Sequence, residues 1–76
     1  MYTLIASQHY HSQFKKLSAD AKNEMLPILE HLTEEPFGYG NITGLEAVQE
    51  IVLSFGKMWY DVDSQNQFVI LYHIEE

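Results

Sequence analysis

Few side chains in this sequence could do chemistry, since it has four lysines, four histidines, no arginine and no cysteine. In-line cleavage of a phosphodiester needs a proton acceptor, a proton donor and cations around the phosphoryl oxygens. The one set that could supply all three is Lys15, Lys16, Lys57 and His73. Eleven acidic residues outnumber the four lysines and give a formal net charge of −7. That excess disfavours nucleic acid as a ligand, because phosphate binding depends on cations that displace counterions.

Two closely spaced histidines, His9 and His11, are the remaining candidate ligands. On a strand they would share a face and could hold a metal, but the segment reads as the start of a helix, where they point apart. No third ligand is near them in the sequence, so we expect surface or capping roles and no metal or other cofactor. The lack of cysteine also excludes disulfides, thiol nucleophiles and thiolate zinc sites.

The elements that must position these residues follow from hydrophobic periodicity. Ser7 and Ser18 offer hydroxyl groups that can accept hydrogen bonds at the starts of two helices. Pro27 interrupts the second helical pattern, and we expect one distorted helix in preference to a helix that begins late, near residue 23. The predicted elements are a strand at 2–6, helices at 9–17 and 19–33, a loop at 36–44, and strands at 49–55, 57–62 and 68–74.

This order predicts a single α+β domain over residues 1–76, in which a strand and two helices precede a three-stranded antiparallel meander. The helices should pack on one face of the sheet. In the last strand Phe68, Ile70, Tyr72 and Ile74 alternate with 69, 71 and 73, and apolar residues on both sides predict an inner strand.

Trp59 is the most informative single residue for a binding role. Alternation places it opposite Met58 and Tyr60 on its strand. If the helices cover the Met58 side, Trp59 lies on an open sheet face; if they cover the other side, it fills the core. Tryptophan on an exposed apolar face is typical of a protein-binding surface. The predicted surface comprises Trp59, Val52, Val69 and Leu71, with Phe37 and Tyr39 of the glycine-rich loop as a second patch.

Several short sequence segments occur in the same order as the predicted helices and strands. They are Phe14-Lys15-Lys16-Leu17, Leu29-Glu30-His31-Leu32, Thr43-Gly44-Leu45, Tyr60-Asp61-Val62-Asp63 and Val69-Ile70-Leu71. Together with the element order they resemble the RelE/ParE superfamily of small bacterial toxins, and the likeness covers nearly the whole chain. The resemblance implies a cytoplasmic toxin that pairs with an antitoxin.

The ribonuclease branch of that family acts on messenger RNA at the ribosome through basic helix residues, strand arginines and a C-terminal tyrosine or histidine. Here Lys57 alone stands where the third strand would carry arginine, and the chain closes on His73-Ile74-Glu75-Glu76. We therefore expect a toxin-related protein that acts by protein binding and is not an enzyme.

Two alternatives stay open. One is a non-catalytic module that associates with itself as a homodimer, and the other is a weak ribosome-dependent endoribonuclease that uses the lysines and His73 named above. The expected partner is an antitoxin-like protein or a second copy. Membrane association is not expected, because no apolar run approaches the ~18 residues that span a bilayer. The first residues also lack the basic start of a signal peptide, so we expect the cytoplasm.

Overall fold

The computed structural model describes residues 1–37, 41–42 and 48–76, with only the backbone of 41–42. The elements are β1 (Thr3–Ala6), α1 (Gln8–Lys15), α2 (Ala19–Leu32), β2 (Asn41–Ile42), β3 (Val48–Leu53), β4 (Gly56–Asp63) and β5 (Phe68–Glu75). The α+β class and the order predicted from sequence are confirmed. The short strand β2, inside the predicted loop, was not foreseen.

The strands form one mixed sheet in the order β1-β5-β4-β3-β2. The chain from β3 to β5 is an antiparallel meander, and β1 joins the far side of β5 in parallel, with Thr3 opposite Phe68 and Ala6 opposite Leu71. β5 is therefore an inner strand, as its apolar residues on both faces predict.

Both helices begin at the serines that the sequence indicates. The Ser7 hydroxyl accepts a hydrogen bond from the Tyr10 N–H, and the Ser18 hydroxyl accepts one from the Ala21 N–H, each at 3.1 Å. Pro27 lies inside α2 and is exposed, so the helix accommodates it on its solvent side. The prediction of a single second helix that contains Pro27, in preference to one that begins late, is confirmed.

The core lies between the helices and one face of the sheet. Tyr10 of α1 and Met25 of α2 pack with side chains that alternate along the three long strands. None of the described helices is long and apolar enough to cross a bilayer. The buried apolar residues are Tyr10, Leu17, Ala21, Met25, Leu32, Ile51, Leu53, Met58, Tyr60, Val62, Val69, Leu71 and Ile74.

A bulge in β5 changes the side-chain pattern that simple alternation predicts. Tyr60 pairs with Leu71, but the preceding residue of β4, Trp59, pairs with His73, so Tyr72 is an extra residue. As a result Ile74 is buried with Leu71, whereas Tyr72 and His73 are half-buried on the other side. The predicted alternation was wrong for His73 and Ile74 for this reason.

Gln13 completes the outer edge of β5 beyond the end of β1. Its side-chain amide donates to the Ile74 carbonyl at 2.5 Å and accepts from the Ile74 N–H at 2.8 Å. One glutamine thus replaces the two backbone hydrogen bonds that a neighbouring strand would make. It also holds α1 against β5, which places the start of the helix beside His73.

Replacing Gln13 by alanine should lower the free energy of unfolding by about 1–2 kcal/mol, because two part-buried backbone groups lose their partners. Urea denaturation would measure the change, with Gln8→Ala, an exposed position on the same helix, as the control. Equal stability of the Gln13 and Gln8 variants would contradict this role for the glutamine.

Two buried tyrosines predict a loss of stability in alkali. Burial raises the pKa of both Tyr10 and Tyr60 to about 12. An unfolded tyrosine ionises at pH ~10. The stability that the neutral phenols contribute is therefore complete below that pH and is lost as pH rises through about 12, the raised pKa of the folded protein. The Tyr60 hydroxyl also donates to the Pro36 carbonyl at 2.5 Å, a bond that ionisation would remove.

Urea midpoints measured at increasing alkalinity should therefore fall most steeply above pH ~10. Tyr60→Phe should be less stable at neutral pH, since the Pro36 carbonyl loses its donor, but its alkaline decline should be shallower. A Tyr60→Phe variant that declines as steeply as the parent would show that another group controls the transition.

Candidate functional site

The two helices cover one side of the sheet, and the side away from them is here called the open face. Strand register assigns its members, since side chains of paired residues lie on the same side of the sheet. The open face carries one exposed aliphatic residue of β3, Val52, among charged and aromatic residues. The latter are Glu50 of β3, Lys57, Trp59, Asp61 and Asp63 of β4, and Phe68, Tyr72, His73 and Glu75 of β5.

A row of polar and aromatic groups crosses the middle of this face. The Trp59 indole N–H donates to Glu50 Oε2 at 2.9 Å. On its other side the indole lies against the His73 ring, with centroids 4.9 Å apart and planes inclined at 37°. Glu50 and His73 therefore fix the orientation of Trp59, which is half-buried.

The row continues onto α1 through His9. His9 Nε2 and His73 Nδ1 lie 3.3 Å apart, and the two ring planes differ by 4°. One imidazole nitrogen donates and the other accepts, according to the tautomer. His9 thus has a specific partner, where the sequence indicated only a surface or capping role. No group of three or more histidine or acidic side chains among residues 1–37 and 48–76 could hold a metal ion.

Asp61 is the least satisfied polar residue on the open face. Its Oδ1 is buried and has no hydrogen-bond partner in the described part of the chain. Burial, and then the negative charge of Asp61, raise the pKa of the neighbouring Tyr72. A buried carboxylate oxygen without a donor is costly, so it calls for a ligand or partner that supplies one.

The predicted binding residues are only partly brought together. Trp59 and Val52 share the open face, and Val52 is 66% exposed. Val69 and Leu71 are 0% and 3% exposed because they point to the helices, so their predicted place beside Trp59 was wrong. Phe37 is 52% exposed in the segment after α2.

The predicted patch partner of Phe37, Tyr39, lies outside the described residues. Sequence reasoning also left Glu50 and His9 out of the site. The one signal for Glu50 was its position two residues before Val52, which places both on the same face of a strand. The contact between His9 and His73 depends on the packing of α1 and left no sequence signal.

The predicted phosphate-binding set is likewise divided. Lys57 and His73 share the open face, where Lys57 is opposite Glu75. Lys15 and Lys16 are exposed at the end of α1, and no contact in the described chain joins them to that face.

Comparison with known proteins identifies the fold. No protein-family model matches the sequence, and no curated protein matches it either. Solved structures do match.

The toxin–antitoxin complex RelBE of E. coli superposes with a TM-score of 0.89 at 16% identity, over 100% of this chain and 96% of that one. The isolated E. coli RelE toxin gives a TM-score of 0.88 at 16% identity, over 100% and 84% of the chains. An E. coli RelE mutant bound to a RelB antitoxin peptide gives 0.84 at 18% identity, over 96% and 80%. The chain therefore has the RelE-like toxin fold.

A new charge should destabilise the protein strongly on the helix-covered face of the sheet and very little on the open face. Val69→Asp should lower the free energy of unfolding by about 3 kcal/mol or prevent folding, because the carboxylate would be buried without a partner. Val52→Asp should change it by less than about 0.5 kcal/mol, since that side chain is exposed. Urea denaturation would measure both changes. Similar losses for the two variants would show that the open face is covered.

Proposed function

We propose that this protein is a toxin-like component of a toxin–antitoxin pair, and that it acts in the cytoplasm by binding protein and not by cutting RNA. One observation carries the proposal: the open face presents an oriented tryptophan among carboxylates, where a ribonuclease of this fold would need cations. Trp59 is held there by Glu50 and His73, so it is ready for contact at little entropic cost.

The charge of the open face argues against RNA. Its described acidic residues are Glu50, Asp61, Asp63 and Glu75, and its described lysine is Lys57. Lys57 itself lies opposite Glu75 in the strand register, so a carboxylate neighbours this cation. A phosphodiester placed beside Trp59 would meet more carboxylates than ammonium groups, so its developing negative charge would not be stabilised.

Structural neighbours support a protein partner. The E. coli structures include RelE in an intact complex with its antitoxin and a RelE mutant with an antitoxin peptide. The same fold in this chain provides a comparable scaffold for a protein segment. At 16–18% identity the likeness extends to the fold, and the mode of binding here is our proposal.

Weak RNA cleavage is the second candidate, because the structure places Lys57 and His73 on the same face. It would have to proceed without Lys15 and Lys16, which lie at the end of α1. Substitution can separate the two candidates, since binding depends on Trp59 and cleavage on Lys57 or His73.

Inducible expression in bacteria, with growth and ribosome-dependent transcript cleavage followed together, tests the proposal. We expect growth arrest without cleavage, relief by Trp59→Ala, and persistence in Lys57→Ala, because the arrest depends on a binding surface. Circular dichroism of each purified variant would confirm that it is folded.

Two results would overturn the proposal. Transcript cleavage that is lost in Lys57→Ala or His73→Ala would establish the ribonuclease alternative. Unaffected growth on expression of the folded protein would remove the toxin role and leave a non-toxic interaction module.

A further inference from the structure

The open face combines three features that together specify its ligand: an excess of negative charge, an oriented indole and exposed aliphatic side chains. From these features we infer that the face receives a cationic segment of a partner protein, one that carries arginine or lysine among apolar residues. The inference rests on the proposed function, since it specifies the chemistry of the protein that would be bound.

The first argument is the unsatisfied oxygen of Asp61. Asp61 Oδ1 is buried and has no donor among the described residues, and the charge of Asp61, after burial, helps raise the pKa of Tyr72. A guanidinium or ammonium group supplies hydrogen-bond donors and opposite charge together. A neutral or acidic segment would leave this oxygen unpaired or add repulsion.

The second argument is the environment of Trp59. Its indole nitrogen is occupied by Glu50, so the ring binds through its π surface and edges and not through its N–H. Cations are attracted to the face of tryptophan within ~6 Å of the ring centre. A nearby carboxylate adds a separate Coulomb attraction for the same cation. Glu50 is such a carboxylate, opposite Trp59 in the strand register.

Exposed aliphatic groups flank the charged centre. Val52 is 66% exposed on β3, and Ile5 is 39% exposed on β1, where it pairs with Ile70 of β5. Because these groups lie on either side of the row of Glu50, Trp59 and His73, a segment with apolar residues between its cations would bury them. Burial of such groups would contribute through the hydrophobic effect.

Charge also selects against a second copy of this chain as the occupant. Each copy carries a net charge of −7, and a two-fold symmetric contact through this face would oppose two sets of the same carboxylates. Like charges across an interface are costly, whereas a basic partner gains both affinity and association rate.

Trp59 is the sole tryptophan, so its fluorescence reports directly on the proposed site. The purified full chain would be titrated with oligo-arginine, oligo-lysine and oligo-glutamate peptides, each carrying interspersed leucines. We expect the two cationic peptides to change Trp59 emission and the acidic peptide to leave it unchanged. Added salt should weaken the binding, because part of the attraction is screened.

Matched variants test the site itself. Asp61→Asn and Glu50→Gln should each weaken binding of the cationic peptides by about tenfold, which corresponds to ~1.4 kcal/mol. Asp20→Asn and Glu30→Gln make the same chemical changes at exposed positions of α2, on the other side of the molecule, and should change the affinity less than about twofold.

Three outcomes would overturn the inference. Equal losses in the α2 controls would show that the peptides respond only to net charge. No emission change with any cationic peptide would show that the face does not accept cations. A dimer in light scattering that Asp61→Asn strengthens would identify a second copy as the occupant.

The peptide titration and the growth assay test different claims, so one can give a negative result without the other. Growth arrest that depends on Trp59, without cationic binding, would reject this inference and keep the proposed function. Cationic binding without any effect on growth would keep the inference and reject the toxin role.

Discussion

The hydrogen bonds along the outer edge of β5 impose the main constraint on this fold. Backbone groups of an inner strand need partners on both sides, and β4 supplies those of only one side. β1 pairs with the first half of β5, and the Ser7 N–H then donates to the Leu71 carbonyl at 2.8 Å as the chain leaves the sheet. Gln13 completes the edge from α1. The position of α1, and with it the contact between His9 and His73, follows from this arrangement.

Periodicity and capping predicted the parts of the fold that depend on local sequence. The serine caps, the continuous α2 through Pro27 and the inner position of β5 all have signals within a few residues. The parallel partner of β1 and the edge role of Gln13 depend on contacts between residues more than sixty positions apart, for which the sequence has no periodic signal.

The open face was harder to predict because its membership depends on register. One extra residue, Tyr72, moves the side chains of His73 and Ile74 to the side of the sheet opposite to the one that regular alternation predicts. Apolar side chains on both faces of β5 hide this shift in the sequence. Val69 and Leu71 were assigned to the wrong side because both sides of β5 are similarly apolar. Trp59 and Val52 could be placed correctly once the helices were known to cover Met58.

The bulge also determines which change in length this strand accepts. Without Tyr72 the strand would alternate regularly, so His73 would still lie opposite Trp59 on the open face and Ile74 would still be buried opposite Met58. Gln13 would therefore meet the same backbone groups of Ile74. Deletion of the extra residue should then preserve the phase of β5 and remove only an aromatic side chain from the open face.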